Sequence, residues 1–131
     1  MGDIKKLAVL VSGNGSNLQS IIDSINIGDI NANISLVISN IETAFALKRA
    51  KKENLKSAFL NHKNFSSRES FDQALSELLF KHEVDLIVLA GFMRILSNSF
   101  IEKFNRKIIN IHPSLLPKYP GLKTHEKVIN N

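Results

Sequence analysis

The run Lys6-Leu7-Ala8-Val9-Leu10-Val11-Ser12 is apolar at every position between its two ends. A strand that is covered on both faces has this continuous pattern, whereas a half-exposed strand alternates apolar and polar residues. The glycine-rich segment Ser12–Asn17 follows the run directly. Apolar residues then recur at helical spacing, at Leu18, Ile21, Ile22 and Ile25. A buried strand, a tight turn and a helix in this order predict the first part of a parallel β-α-β unit.

The same alternation continues to the end of the chain. Further strands are predicted at Ile34–Ser39, Ser57–Leu60, Val84–Ala90 and Lys107–Ile111. Further helices are predicted after a Thr43 cap to about Asn54, from Ser66 or Ser67 to His82, over Asn98–Phe104, and after Thr124. No repeat, linker or low-complexity tract interrupts the pattern. We therefore predict one α/β domain with a doubly wound, mostly parallel sheet.

Composition narrows the class of ligand. The chain carries 17 Lys and Arg against 12 Asp and Glu, a formal charge of +5, but it has one Tyr and no Trp. Nucleic-acid grooves combine clustered cations with stacking aromatic residues, so small anions are the better prediction. Cys is absent, and the apolar run Leu7–Val11 is too short for a signal-peptide core or a membrane span. We expect a cytoplasmic protein with no nucleic-acid or membrane partner.

Unusual loops follow three of the predicted strands, at Ser12–Asn17, Gly91–Leu96 and Asn110–Gly121. The carboxyl ends of parallel strands share one edge of the sheet, and ligands bind beyond that edge. The three loops therefore predict one composite site. The alternative is that each loop is only a structural connection.

The first loop has the composition of an anion cradle. Glycines let backbone N–H groups approach an anion at a helix N-terminus. Leu18 replaces the third glycine of a dinucleotide motif, and no acidic residue follows the second strand until Glu42. A single phosphate is therefore favoured over a dinucleotide. The alternative is a plain turn whose helix is capped by Ser16 or Asn17.

The other two loops carry candidate binding and catalytic groups. Phe92 and Met93 can wall a slot for a flat heterocycle, or simply face the core. Asn110 and His112 lie two residues apart in an extended segment and so point to the same side. An amide donor can stabilise an oxyanion, and an imidazole can move a proton. The alternative is that Asn110 ends a strand and His112 caps a turn.

The remaining charged candidates are less specific. Arg68, at the start of a predicted helix, can meet a ligand carboxylate or be solvated. His82 is expected to be a half-buried structural residue and His62 to be solvated. His112 and His125 have no Cys or carboxylate cluster beside them, so no metal site is predicted.

Together, Ser12–Asn17, Leu89–Leu96 and Asn110–Gly121 resemble the motifs of the phosphoribosylglycinamide formyltransferase family. The resemblance covers essentially the whole chain and implies a Rossmann-like formyltransferase fold. It also implies transfer of a formyl group from 10-formyltetrahydrofolate, as co-substrate, to the amine of phosphoribosylglycinamide in purine biosynthesis.

The resemblance also implies a role for each motif residue. Gly15, Ser16, Asn17, Leu18 and Gln19 would cradle the substrate phosphate. Arg68 would meet the glutamate end of the folate, while Met93, Arg94, Ile95 and Leu96 would line the pterin slot. Asn110 would contact the formyl oxygen of the folate, and His112 would donate the proton.

One departure from the family pattern bears on activity. The family has a third catalytic residue, an Asp beyond the third motif, and no Asp or Glu of these 131 residues matches its context. We therefore expect residues 1–131 to form an incomplete N-terminal formyltransferase domain that is impaired alone. The alternatives are an enzyme like methionyl-tRNA formyltransferase or formyltetrahydrofolate hydrolase, or a remnant that binds without turnover.

Overall fold

A computed structural model describes residues 4–111 of the chain. Its strands are β1 (Lys5–Val11), β2 (Ala32–Ser39), β3 (Ser57–Phe59), β4 (Leu86–Leu89) and β5 (Ile108–Asn110). Its helices are α1 (Ser16–Asn26), α2 (Phe45–Lys52), α3 (Arg68–Lys81) and α4 (Asn98–Lys103), with a 3₁₀ turn at His62–Asn64. His112, the proline-rich stretch and the helix predicted after Thr124 lie outside the described residues.

The five described strands form one parallel sheet with the order β3-β2-β1-β4-β5. This confirms the predicted doubly wound sheet. The strand order reverses at β1, which pairs with β2 on one side and with β4 on the other. The carboxyl ends of β1, β4 and β5 are therefore neighbours, and the reversal point is where such sheets bind ligands.

Helices cover both faces of the sheet, which explains the continuous apolar pattern of β1. Leu7, Val9 and Val11 pack with the apolar residues of α1 and α2. Ala8 and Leu10 face the other way and pack with those of α3 and α4. All five side chains are fully buried. Burying a side chain the size of Val or Leu contributes about 1.5–3 kcal/mol, so β1 is the centre of the core.

Strand β2 begins at Ala32 rather than at the predicted Ile34, and two further predicted boundaries are wrong for identifiable reasons. Helix α2 is not capped by Thr43, since its N-cap is Ala44 without a side-chain hydrogen bond, and the Ala46 N–H donates to the Gly13 carbonyl instead. Strand β4 begins at Leu86 rather than Val84, because the Asp85 carboxylate accepts the Lys6 N–H at 2.8 Å in place of a strand carbonyl. Ser67 does cap α3, as predicted, by accepting the Ser70 N–H.

Candidate active site

The turn between β1 and α1 is held in a conformation that requires glycine. Gly15 occupies the N-cap of α1 with φ +83°, in the left-handed region. A Cβ added there would lie 2.7 Å from Ala46 Cα, so α2 packs directly on the turn. The Asn14 side chain accepts the Ser16 N–H at 2.9 Å. The turn thus starts α1 without a cap from Ser16 or Asn17, both of which lie inside the helix.

The five residues predicted to cradle phosphate all lie in this turn or in the first turn of α1. Their side chains differ in what they can offer. Ser16 is exposed and Asn17 is buried, while the Leu18 side chain belongs to the core. Gln19 is half-buried, and its amide donates to Asp23 Oδ1 at 3.0 Å. Backbone N–H groups, rather than most of these side chains, are what the turn can present to an anion.

Ser12 joins three strand ends and was missed as a site residue by the sequence analysis. Its hydroxyl donates to Asn40 Oδ1 at 2.5 Å, at the end of β2, and accepts the Met93 N–H at 2.8 Å, from the loop after β4. Ser12 and Asn40 are both buried. The sequence signal was a polar residue closing each of two buried strands. Ser12 therefore fixes the loop of Met93 against the end of β1.

Replacing Ser12 by Ala should lower the free energy of unfolding by about 1–3 kcal/mol, because it leaves the buried Asn40 oxygen and the Met93 N–H without their partner. Urea unfolding of the two proteins measures the difference. Ser76→Ala is the control, since Ser76 is also buried but its hydroxyl bonds only to the Asp72 carbonyl of its own helix. Equal losses in both variants would contradict the role assigned to Ser12.

The loop after β4 alternates between exposed and buried side chains. Met93 is 81% exposed and Ile95 is 71% exposed, although both are apolar. Arg94 is half-buried and Leu96 is buried in the core. Gly91 at φ +80° turns the chain out of β4 just before this segment. The loop therefore exposes the apolar side chains of Met93 and Ile95, while those of Arg94 and Leu96 pack against the protein.

The inner side of this loop is attached to the first turns of α3. The Arg94 guanidinium lies over the Phe71 ring, 4.5 Å from its centroid. The buried Asp72 carboxylate accepts the Ser97 N–H at 2.6 Å. Arg68 is the first residue of the same helix and is exposed. These contacts place Arg68 at the helix end that supports the Met93 loop.

Asn110 ends β5 beside Leu89 of β4, and the Ile111 N–H donates to the Leu89 carbonyl at 3.1 Å. Asn110 is half-buried. Adjacent strands lie about 4.8 Å apart, so the ends of β1 and β5 are separated by about 10 Å, with β4 between them. The turn Ser12–Asn17, the loop Gly91–Leu96 that carries Met93, and Asn110 consequently meet at one edge of the sheet, as predicted. His112, two residues beyond Asn110, lies outside the described residues.

The structure corrects one expectation about the other histidines. His62 is half-buried rather than solvated, and its Nδ1 has no partner within residues 4–111. His82 is half-buried, as expected. Over the same range, no three potential metal ligands lie close enough to bind an ion, and none of the helices has the length and apolar content of a membrane span.

Comparison with known proteins gives consistent matches. Residues 5–131 match the family model described as formyl transferase. The phosphoribosylglycinamide formyltransferase of Haemophilus influenzae is 52% identical over 126 residues, which are 96% of this chain and 59% of that protein. The trifunctional purine biosynthetic protein adenosine-3 of Homo sapiens is 44% identical over 95% of this chain and 12% of that protein.

A solved structure with a similar fold carries the same enzyme name as the bacterial relative. The phosphoribosylglycinamide formyltransferase of Coxiella burnetii superimposes with a TM-score of 0.81 and 44% identity, covering 98% of this chain and 60% of that one. This chain thus spans about three fifths of the length of the bacterial relatives. With the family model matched over nearly the whole chain, the protein belongs to the formyl transferase family.

Proposed function

We propose that this protein transfers a formyl group from 10-formyltetrahydrofolate to the amine of phosphoribosylglycinamide, in the cytoplasmic synthesis of purines. The observation that carries the proposal is the meeting of the glycine-rich turn, the Met93 loop and Asn110 at adjacent strand ends. The names of the relatives support phosphoribosylglycinamide as the acceptor of a formyl group, and the resemblance to the family implies 10-formyltetrahydrofolate as its donor.

The phosphate of the acceptor fits the N-terminus of α1. Helix geometry leaves the first-turn N–H groups without intrahelical acceptors, and the helix dipole favours an anion there. The Ser16 N–H is already bonded to Asn14, which leaves the N–H groups of Gly15, Asn17 and Leu18 as the proposed donors. The exposed Ser16 hydroxyl can add a further hydrogen bond. Gln19 would border the phosphate through its side chain.

The pterin of the formyl donor fits the outer side of the Met93 loop. Met93 and Ile95 are exposed apolar side chains at a strand end, which is the environment that a flat heterocycle can cover. Arg94 and Leu96 hold the loop from within, so their contribution to the slot would come from the backbone. Arg68, at the N-terminus of α3, is the proposed partner of the glutamate carboxylate of the folate.

Asn110 and His112 would then act on the formyl group. The acceptor amine attacks the formyl carbon, its C–N bond forms, and the formyl oxygen gains negative charge that the Asn110 amide stabilises by donating a hydrogen bond. The bond from carbon to the folate nitrogen then breaks, and that nitrogen takes a proton from the His112 imidazolium. The proton lost by the amine balances the step and can restore the imidazolium.

The choice of acceptor tests the proposal. The full chain is supplied with 10-formyltetrahydrofolate and, in parallel, with phosphoribosylglycinamide, methionyl-tRNA or water alone, and formylated products are measured by mass spectrometry. Formylation of phosphoribosylglycinamide is the expected outcome, at a rate far below that of a full-length relative, because no Asp or Glu of these 131 residues matches the third catalytic residue of the family. Formyl-methionyl-tRNA as the product would favour an enzyme like methionyl-tRNA formyltransferase. Free formate would favour one like formyltetrahydrofolate hydrolase, and binding without any product would favour a binding remnant.

A further inference from the structure

The two carbonyl groups that precede the N-cap glycine are both bound to α2. The Ala46 N–H donates to the Gly13 carbonyl at 3.3 Å, and Arg49 Nε donates to the Asn14 carbonyl at 2.8 Å. Both acceptors lie in the segment that precedes the N–H groups proposed to bind phosphate. Helix α2 is therefore attached, by its backbone and by one side chain, to the turn Ser12–Asn17, which is called the phosphate turn below because of the role proposed for it.

Binding these carbonyls has an electrostatic consequence for an anion. Every peptide unit in a turn carries a C=O as well as an N–H, and a carbonyl oxygen that faces a phosphate repels it. A backbone becomes an anion-binding concavity only when successive N–H groups point inward and the carbonyls point elsewhere. In this turn the Gly13 and Asn14 carbonyls are directed to α2, which leaves the N–H side to the ligand.

Arginine is suited to this position because its guanidinium can donate in two directions. While Nε bonds to Asn14, Nη1 lies 3.3 Å from Gln19 Oε1, so one side chain joins residues on both sides of Gly15. The guanidinium carbon lies 5.0 Å from the centroid of the Phe45 ring. This stacking restricts the rotamers of the guanidinium and so lowers the entropy cost of holding the turn.

We propose that Arg49 is a positioning residue for the phosphate turn. It holds the Asn14 carbonyl away from the ligand and fixes Gln19, and it thereby sets the affinity for the phosphate group without touching it. The identity of the phosphate compound rests on the function proposed above. The role of Arg49 toward a phosphate group can be measured separately from formyl transfer.

The chain offers a matched control in Lys48. Lys48 neighbours Arg49 on α2 and also lies over the Phe45 ring, at 5.9 Å from the centroid. It makes none of the side-chain hydrogen bonds to the turn that Arg49 makes. Lys48→Met and Arg49→Met therefore remove the same charge and a similar cation–aromatic contact, but only the second removes the bonds to Asn14 and Gln19.

Binding of ribose 5-phosphate to the full chain, followed through the amide resonances of Gly15, Asn17 and Leu18, measures the effect. Arg49→Met should raise the Kd roughly tenfold, the equivalent of one net hydrogen bond, while Lys48→Met should stay within about twofold of wild type. Equal weakening in the two variants, or none in Arg49→Met, would overturn the proposal. If Arg49→Met does not fold, the affinity of Arg49→Lys for ribose 5-phosphate is measured instead. Lys keeps the charge but not the two-direction hydrogen bonding of the guanidinium, so roughly threefold weakening would support the proposal and unchanged affinity would overturn it.

Kinetics provide the second readout. Arg49→Met should raise the KM for phosphoribosylglycinamide by a similar factor and leave kcat and the KM for the folate within about twofold. A fall in kcat with unchanged KM would contradict a positioning role at the phosphate. Weaker phosphate binding in a protein that forms no formylated product would support the role of Arg49 and contradict the proposed function, so the two can fail separately.

Discussion

Replacement of Asn110 by Ala should lower kcat for formyl transfer by about 10²–10³-fold, which is the usual effect of removing one donor to a developing oxyanion. The fold should remain intact, because β5 pairs with β4 through backbone groups that the substitution keeps. Single-turnover kinetics with phosphoribosylglycinamide and 10-formyltetrahydrofolate measure the change directly. The KM values should change much less than kcat, since the amide acts mainly in the transition state.

Asn105→Ala is the control for this experiment. Asn105 is exposed in the turn after α4, near the amino end of the same strand, where it is far from the proposed chemistry. It should retain wild-type kcat. An Asn110→Ala protein that keeps its fold and more than about half of wild-type kcat would show that the amide does not stabilise the oxyanion.

Gly15→Ala should be the most damaging single substitution in the turn Ser12–Asn17, the proposed phosphate site. Alanine would be strained at the left-handed φ of +83°. Its Cβ would also lie 2.7 Å from the Cα atom of Ala46 in α2, a backbone atom that cannot rotate away. Backbone strain and overpacking together should cost about 2–5 kcal/mol of unfolding free energy. Displacement of α2 should also weaken phosphate binding. Denaturant unfolding and the ribose 5-phosphate titration measure the two effects.

Gly28→Ala separates strain from steric overlap. Gly28 has a similar φ of +87°, but an added Cβ there meets nothing within 4 Å. This control should lose only the left-handed penalty, about 1–2 kcal/mol, and should bind the phosphate probe normally. If both glycine variants lost the same stability and both bound normally, the contact between Gly15 and α2 would not matter to the site.

The fold could be predicted because its signals are local. The apolar run Lys6–Ser12 indicated a strand buried on both faces, and the sheet confirms it with Leu7 and Ala8 packed on opposite sides. Ser67 was readable as a cap because its partner, Ser70, is three residues away. The position of the three loops followed from parallel strand order. These features depend on spacing within one or two elements.

The supporting contacts could not be predicted because they join residues far apart in the chain. Ser12 bonds to Met93, 81 residues away, and Arg49 bonds to Asn14, 35 residues away. The Thr43 cap failed for the same reason, since the N–H group of Ala46 found its acceptor in the phosphate turn. The side chain of Arg94, one of the residues predicted to line the slot, packs on Phe71, which its position in the motif does not indicate. The motifs predict which loops form the site, but they do not predict the long-range contacts that hold those loops in place.

A crystal structure of the full chain with phosphoribosylglycinamide and an unreactive folate analogue would test the composite site most directly. We expect the phosphate to accept N–H groups from the turn at Gly15–Leu18, the pterin to cover Met93 and Ile95, and the acceptor amine to lie beside Asn110. A phosphate bound instead among Lys6, Lys56 and Lys81, which line a cavity at the opposite edge of the sheet, would contradict the composite site.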